Sequence, residues 1–259
     1  MKKFALALTA LAAFTGSAVA ADLPPAPAYS RAPVVVATPS WTGFYIFGGA
    51  GGSVWDADTS VLSTATGAPK TINQRMGGDG WYGTVGAGYD WQTSNSWVFG
   101  VFADGQFGSI RGSINDSSVG LTGTQKLRDS WAAGARLGYL VAPNVLSYVN
   151  AGYTGSQWST TSLGPTSGAA AVTTTPSFQR SGAFVGGGVE NNLNIFGITA
   201  PGWFMKTEYR AAYYDRATLA ETTIATGLPS GNSITFKPLV ESVSTSLVYR
   251  FNWTGPARY

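Results

Sequence analysis

Between Trp41 and Trp253 the chain changes character from each residue to the next, in segments of about ten residues. Trp81–Gln92 shows this most plainly. Trp81, Gly83, Val85, Ala87, Tyr89 and Trp91 fall on one face, and Tyr82, Thr84, Gly86, Gly88, Asp90 and Gln92 on the other. A period of two belongs to strands whose faces meet unlike surroundings. After residue 20 no stretch approaches the ~18 to 20 apolar residues that a membrane helix needs. The chain is therefore restricted to β architecture.

The pattern recurs. Trp97–Phe107 sets Trp97, Phe99, Val101 and Ala103 against Gly100, Asp104 and Gln106. Arg128–Leu140 sets Trp131, Ala133, Ala135, Leu137 and Tyr139 against Ser130, Gly134, Arg136 and Gly138. Val145–Thr154, Arg180–Asn191, Trp203–Tyr214 and Val240–Trp253 repeat it, and Thr42–Val54 is a further strand too glycine-rich to assign a face. That predicts eight strands. Thr93–Ser96 and Val141–Asn144 read as tight turns, and Asn192–Gly202 as a longer one. Polar stretches near 55–80, 108–127, 157–179 and 215–239 read as long loops. Alternating short and long connections fit an up-and-down transmembrane barrel with both termini on the periplasmic side.

A soluble sandwich or lipocalin-like barrel also alternates, with its apolar face inward. Here the polar face carries charges on many strands, which a small soluble core would bury at high cost. The apolar segments are long enough to cross a bilayer when tilted. Charged residues make up only 11% of the chain and aromatic residues 13%, which suits a wall in which every second side chain meets lipid. The expected fold class is an all-β, eight-stranded antiparallel transmembrane up-and-down β-barrel.

The first twenty residues have the three parts of a secretory signal. Lys2 and Lys3 are a positive start, Phe4–Phe14 is an apolar run, and Ala18-Val19-Ala20 offers small residues for cleavage between Ala20 and Ala21. Residues 21–40 hold Pro24, Pro25, Pro27, Pro33 and Pro39 and read as an extended periplasmic arm. The organisation expected is signal 1–20, arm 21–40 and barrel 41–259. Without Lys2 and Lys3 the balance is 14 basic against 13 acidic residues. The bases form no stripe that could track phosphates, so nucleic acid is not an expected partner.

The chain contains neither cysteine nor histidine. Disulfides, thiolate metal sites, cysteine nucleophiles, imidazole-based catalysis and His-containing zinc or copper sites are all excluded. Lys70, Lys126, Lys206 and Lys237 stand in no Ser-x-x-Lys motif. The glycine run Gly48-Gly49-Ala50-Gly51-Gly52 lacks the Lys-Ser/Thr of a phosphate loop. The expectation is no enzyme, no cofactor and no metal.

Four segments in order carry a resemblance. Trp41-Thr42-Gly43-Phe44-Tyr45, Gly186-Gly187-Gly188-Val189-Glu190, Lys206-Thr207-Glu208-Tyr209-Arg210 with Tyr213-Tyr214-Asp215, and Leu247-Val248-Tyr249-Arg250-Phe251-Asn252-Trp253 resemble the alphaproteobacterial outer-membrane immunogenic proteins. The resemblance implies an OmpA-like eight-stranded barrel, surface antigenicity and a part in envelope integrity. Two departures stand out: Thr254–Tyr259 extends past the aromatic strand end read by the barrel-insertion machinery, and Phe102 takes an inward position where a polar residue is expected.

By parity the lumen receives Asp90, Asp104, Glu190 and Glu208 together with Arg136, Lys206, Arg210 and Arg250. Eight strands enclose a space just wide enough for side chains to fill, and a balanced set can pair within it. The expectation is a barrel plugged by a charge network, with a narrow porin-like channel as the alternative. Expected partners are outer-membrane lipid and lipopolysaccharide, and the insertion machinery during assembly. Peptidoglycan or a host surface is a further candidate partner.

Overall fold

The computed structural model describes residues 40–93, 96–195 and 198–251, all within the unit Ala37–Tyr259. The signal, its Ala20–Ala21 junction, the arm up to residue 39, and the terminal segment with Asn252 and Trp253 lie outside the described residues. All the regular elements described are strands: β1 Gly43–Ser63, β2 Gln74–Gln92, β3 Trp97–Asp116, β4 Leu121–Ala142, β5 Val145–Trp158, β6 Thr161–Pro165, β7 Thr173–Thr175, β8 Phe178–Ile195, β9 Ile198–Tyr214, β10 Ala217–Thr223 and β11 Pro229–Arg250.

Eight of them close a ring. β1, β2, β3, β4, β5, β8, β9 and β11 pair antiparallel in that order, and β11 returns to β1 from Tyr45↔Arg250 to Ser63↔Asn232. Closure leaves no open edge, so backbone groups within a bilayer are paired around the wall. The outer wall carries two aromatic belts. Phe44, Trp91, Trp97, Tyr139, Trp203 and Phe251 mark the end with the short turns, and Trp81, Phe107, Trp131, Tyr153, Tyr209 and Tyr213 the other. Between the belts Val85, Val101, Leu137, Val149, Val185 and Leu247 face outward. Such a wall is built for lipid, with rings settling at the interfaces.

β1 resolves its face despite its glycines. Tyr45, Phe47, Gly49, Gly51, Ser53 and Trp55 point inward. A Cβ at Gly49 or Gly51 would collide with the β11 carbonyls of Thr245 and Val243. Glycine is what lets these two strands approach so closely.

Above the second belt the stretches expected as loops are strands. β1 to β4 run on for 19 to 22 residues each, and the short β6, β7 and β10 join them. Pairing there passes from β4 to β6, β7, β10 and β11, bypassing β5, β8 and β9. Only β2 and β3 part company, above Gly78↔Gly112. Inside this upper storey Trp55, Trp158 and Phe236 meet edge to face at 5.0–5.5 Å. Ile110, Ile114, Leu121, Leu127, Leu163, Leu219 and Ile234 are buried around them. The lower storey thus has an apolar outside and a charged interior, whereas the upper has the apolar interior of a soluble barrel.

The change of storey shows in β4. Its pairing with β3 and β5 shifts between Leu127 and Asp129. Below the shift the even positions Ala132 and Arg136 are buried, and above it Leu127, Gln125 and Leu121 are. The bulge at Arg128 reverses which parity points inward.

Candidate functional site

The eight charged residues expected in the lumen lie on six strands: Asp90 on β2, Asp104 on β3, Arg136 on β4, Glu190 on β8, Lys206, Glu208 and Arg210 on β9, and Arg250 at the end of β11. All are buried. They form two clusters rather than one.

The cluster nearer the short turns joins two acids to two arginines. Arg136 donates from Nε to Asp90 Oδ1 at 2.9 Å, from Nη2 to Asp90 Oδ2 at 2.5 Å, and from Nη1 to Glu190 Oε2 at 3.0 Å. Arg250 donates from Nε to Glu190 Oε1 at 2.9 Å, and its Nη2 stands 2.8 Å from both Asp90 and Glu190 as an ionic contact. Each carboxylate therefore meets both guanidiniums. Planar forks suit such shared recognition, which a single ammonium could not supply. The rings of Tyr45 and Tyr148 lie against Arg136, and those of Trp41 and Tyr45 against Arg250, with centroids 4.4–5.1 Å away.

Trp41 covers the mouth beneath this cluster. Its indole Nε1 donates to the Pro143 carbonyl in the β4–β5 turn at 3.2 Å, and its ring packs on Phe204 at 5.1 Å. Arg250 Nη1 donates to the Trp41 carbonyl at 3.3 Å. No charge pattern singled out Trp41. Its sequence signals were its place immediately before the first strand and its position at the head of the resemblance segment Trp41–Tyr45.

In the second cluster Arg210 holds Asp104 through two bonds, Nη1 to Oδ1 at 3.0 Å and Nη2 to Oδ2 at 2.8 Å, and reaches Glu208 Oε1 at 2.7 Å. Tyr148 donates its hydroxyl to Glu208 Oε2 at 2.8 Å. Lys206 is held more loosely: its Nζ lies 3.7 Å from Glu208 and 3.4 Å from the centre of the Phe47 ring. Phe102 is buried, meets Phe184 at 6.0 Å and lies under the Arg210 guanidinium at 5.7 Å. Its place in the lumen is that of a platform for a cation.

Two tyrosines on different strands, Tyr45 and Tyr148, were not placed in the charge network from sequence, because alternation does not mark a ring's partner. Among the described residues no group of three or more metal-ligating side chains gathers. A groove of about 410 Å³ lies on the outer wall instead, between Trp81 and Tyr209 over Gly52, and there Tyr209 donates to Glu241 at 2.5 Å.

No family model matches the chain. Two curated proteins do: the 31 kDa outer-membrane immunogenic proteins of Brucella melitensis and Brucella suis are each 33% identical over 221 residues, covering 81% of this chain and 85% of theirs. This chain belongs to the family of the 31 kDa outer-membrane immunogenic proteins. It is accordingly an outer-membrane β-barrel protein, and the belted outer face of its closed ring is the surface built for lipid. Solved structures similar to it include Neisserial surface protein A, at 15% identity and a TM-score of 0.40 over 81% of this chain and 98% of that one. OprG from Pseudomonas aeruginosa is similar at 9% identity and a TM-score of 0.46, over 81% and 97%.

Proposed function

We propose that the protein is a non-catalytic surface barrel that contributes to envelope integrity and displays its upper storey to the exterior as an antigen, its lumen closed by the two charge clusters. The observation that carries this reading is the mutual pairing of four acids and four bases, all buried, above a mouth covered by Trp41. Water-filled pores keep their lining charges solvated. Here the carboxylates spend their acceptors on guanidiniums and a tyrosine hydroxyl, an arrangement that fills space and holds strands together. The immunogenic character named for the Brucella relatives accords with strand-built surface loops.

The test is single-channel recording from residues 21–259 refolded into planar bilayers, with a heat-modifiability gel to establish folding. Folded protein that passes no current steps is the expected result. Reproducible steps would replace the plugged barrel with a small ion channel.

A further inference from the structure

The upper storey holds a second polar cluster that the lumenal network does not reach. Asp116 ends β3 and Glu221 lies on β10, and their side chains are 0% and 1% exposed. Asp116 Oδ1 accepts from the backbone N–H and the hydroxyl of Ser118 at 2.8 and 2.6 Å, and Oδ2 accepts from Asn232 Nδ2 at 2.7 Å. The Glu221 carboxyl faces that of Asp116. Ser230 approaches Glu221 Oε2 at 3.5 Å, and no N–H or hydroxyl donor among the described residues reaches the buried Glu221 Oε1. Two carboxylates thus converge in a buried position with one acceptor unanswered. Left so, the pair costs free energy.

We propose that this cluster binds a divalent cation of the calcium class, held by the carboxylates of Asp116 and Glu221 with oxygens of Ser118, Ser230 and Asn232 around them. The ligand atoms these side chains offer are oxygens, the set hard cations take, and calcium accepts irregular oxygen cages drawn from separate loops. The five residues come from the end of β3, the β3–β4 turn, β10 and the start of β11, so a bound cation would tie the tips of the β3–β4 and β10–β11 hairpins together. An ammonium already approaches one of these oxygens: Lys70, exposed in the β1–β2 connection, contacts Asn232 Oδ1 through Nζ. It acts as an internal stand-in that an incoming cation displaces, which frees the amide oxygen as a ligand. The orphaned Glu221 oxygen is the position that lacks a positive partner even with Lys70 in place.

The experiment is a calorimetric titration of the full mature chain, folded in lipopolysaccharide-free detergent micelles above neutral pH, with calcium chloride. A single saturable site with Kd on the order of 10⁻⁴ to 10⁻³ M is expected, as for extracellular modules. Glu221→Gln should weaken it at least about tenfold, because the ligand's charge is lost. Lys70→Met should tighten it by roughly threefold, because a competing charge is removed. Lys70→Met touches no carboxylate, so it decides the matter even should Glu221→Gln fail to fold. Absence of saturation, an unchanged isotherm in Glu221→Gln, or weaker binding in Lys70→Met would each overturn the proposal.

Discussion

At the scale of single residues, the lumenal charges are not equivalent, and the difference is set by how many partners each loss would strand. Arg136 answers both Asp90 and Glu190. Replacing it by methionine leaves two buried carboxylates sharing one guanidinium, a loss of the kind that costs about 3–5 kcal/mol. Lys206 stands at the margin of an ion pair whose carboxylate keeps Arg210 and Tyr148. Lys206→Met should cost about 2 kcal/mol, the worth of a desolvated ring contact. Urea midpoints of the two variants, read by gel mobility, would rank them, and equal midpoints would refute the inequality. Glu221 supplies a pH dependence. Burial, with the Asp116 carboxyl next in effect, raises its pKa from 4.5 to about 7. The folded state then keeps a proton that the unfolded chain releases near 4.5, so the stabilising contribution is complete below that pH and is lost as pH rises through about 7. In the presence of a chelator, wild type should gain stability over Glu221→Gln on acidification across that window. Parallel curves would remove Glu221 from the account.

Individual strands show what alternation reveals and what it conceals. The faces of β2, β3, β8 and β9 were legible because lipid demands an apolar residue at every second place, as Val85, Val101, Val185 and Tyr209 illustrate. The inward set was legible by elimination, but its partners were not: pairing Asp104 with Arg210 joins residues 106 positions apart across the lumen. The upper storey escaped notice for a physical reason. Above the belt the apolar residues turn inward, so Trp55 continues the lumenal face of Tyr45 and Phe47, and Arg128 inserts a parity change in β4. Short threonine-rich strands such as β7 carry no strong periodicity of their own. Trp55→Ala, which removes the ring shared by Trp158 and Phe236, should destabilise the upper storey by about 3–5 kcal/mol. Limited proteolysis should then cut within residues 55–80 or 215–239 while the gel shift of the lower barrel persists. Loss of both together would mean that the storeys fold as one unit.

Taken whole, the molecule is one set of long strands in two solvents. In the bilayer the wall is apolar and the charges are sheltered inside, and above it the same strands shelter their apolar residues and turn polar groups to water. Neither storey can exchange roles with the other, so the height of the molecule in the membrane is fixed by where the interior changes from Arg210 and Tyr214 to Trp158 and Phe236. The two charge clusters are stacked along this axis, and on the plugged reading they block the lumen in series. Opening one leaves the other closed. Arg136→Ala with Glu190→Ala should therefore remain silent in planar bilayers, as should Arg210→Ala with Asp104→Ala, each double keeping its neighbouring cluster paired. Current steps should appear only when all four substitutions are combined, each double having removed one acid and one base so that the lumen stays balanced. Steps from either double alone would place the closure in a single cluster and leave the other to hold the strands together.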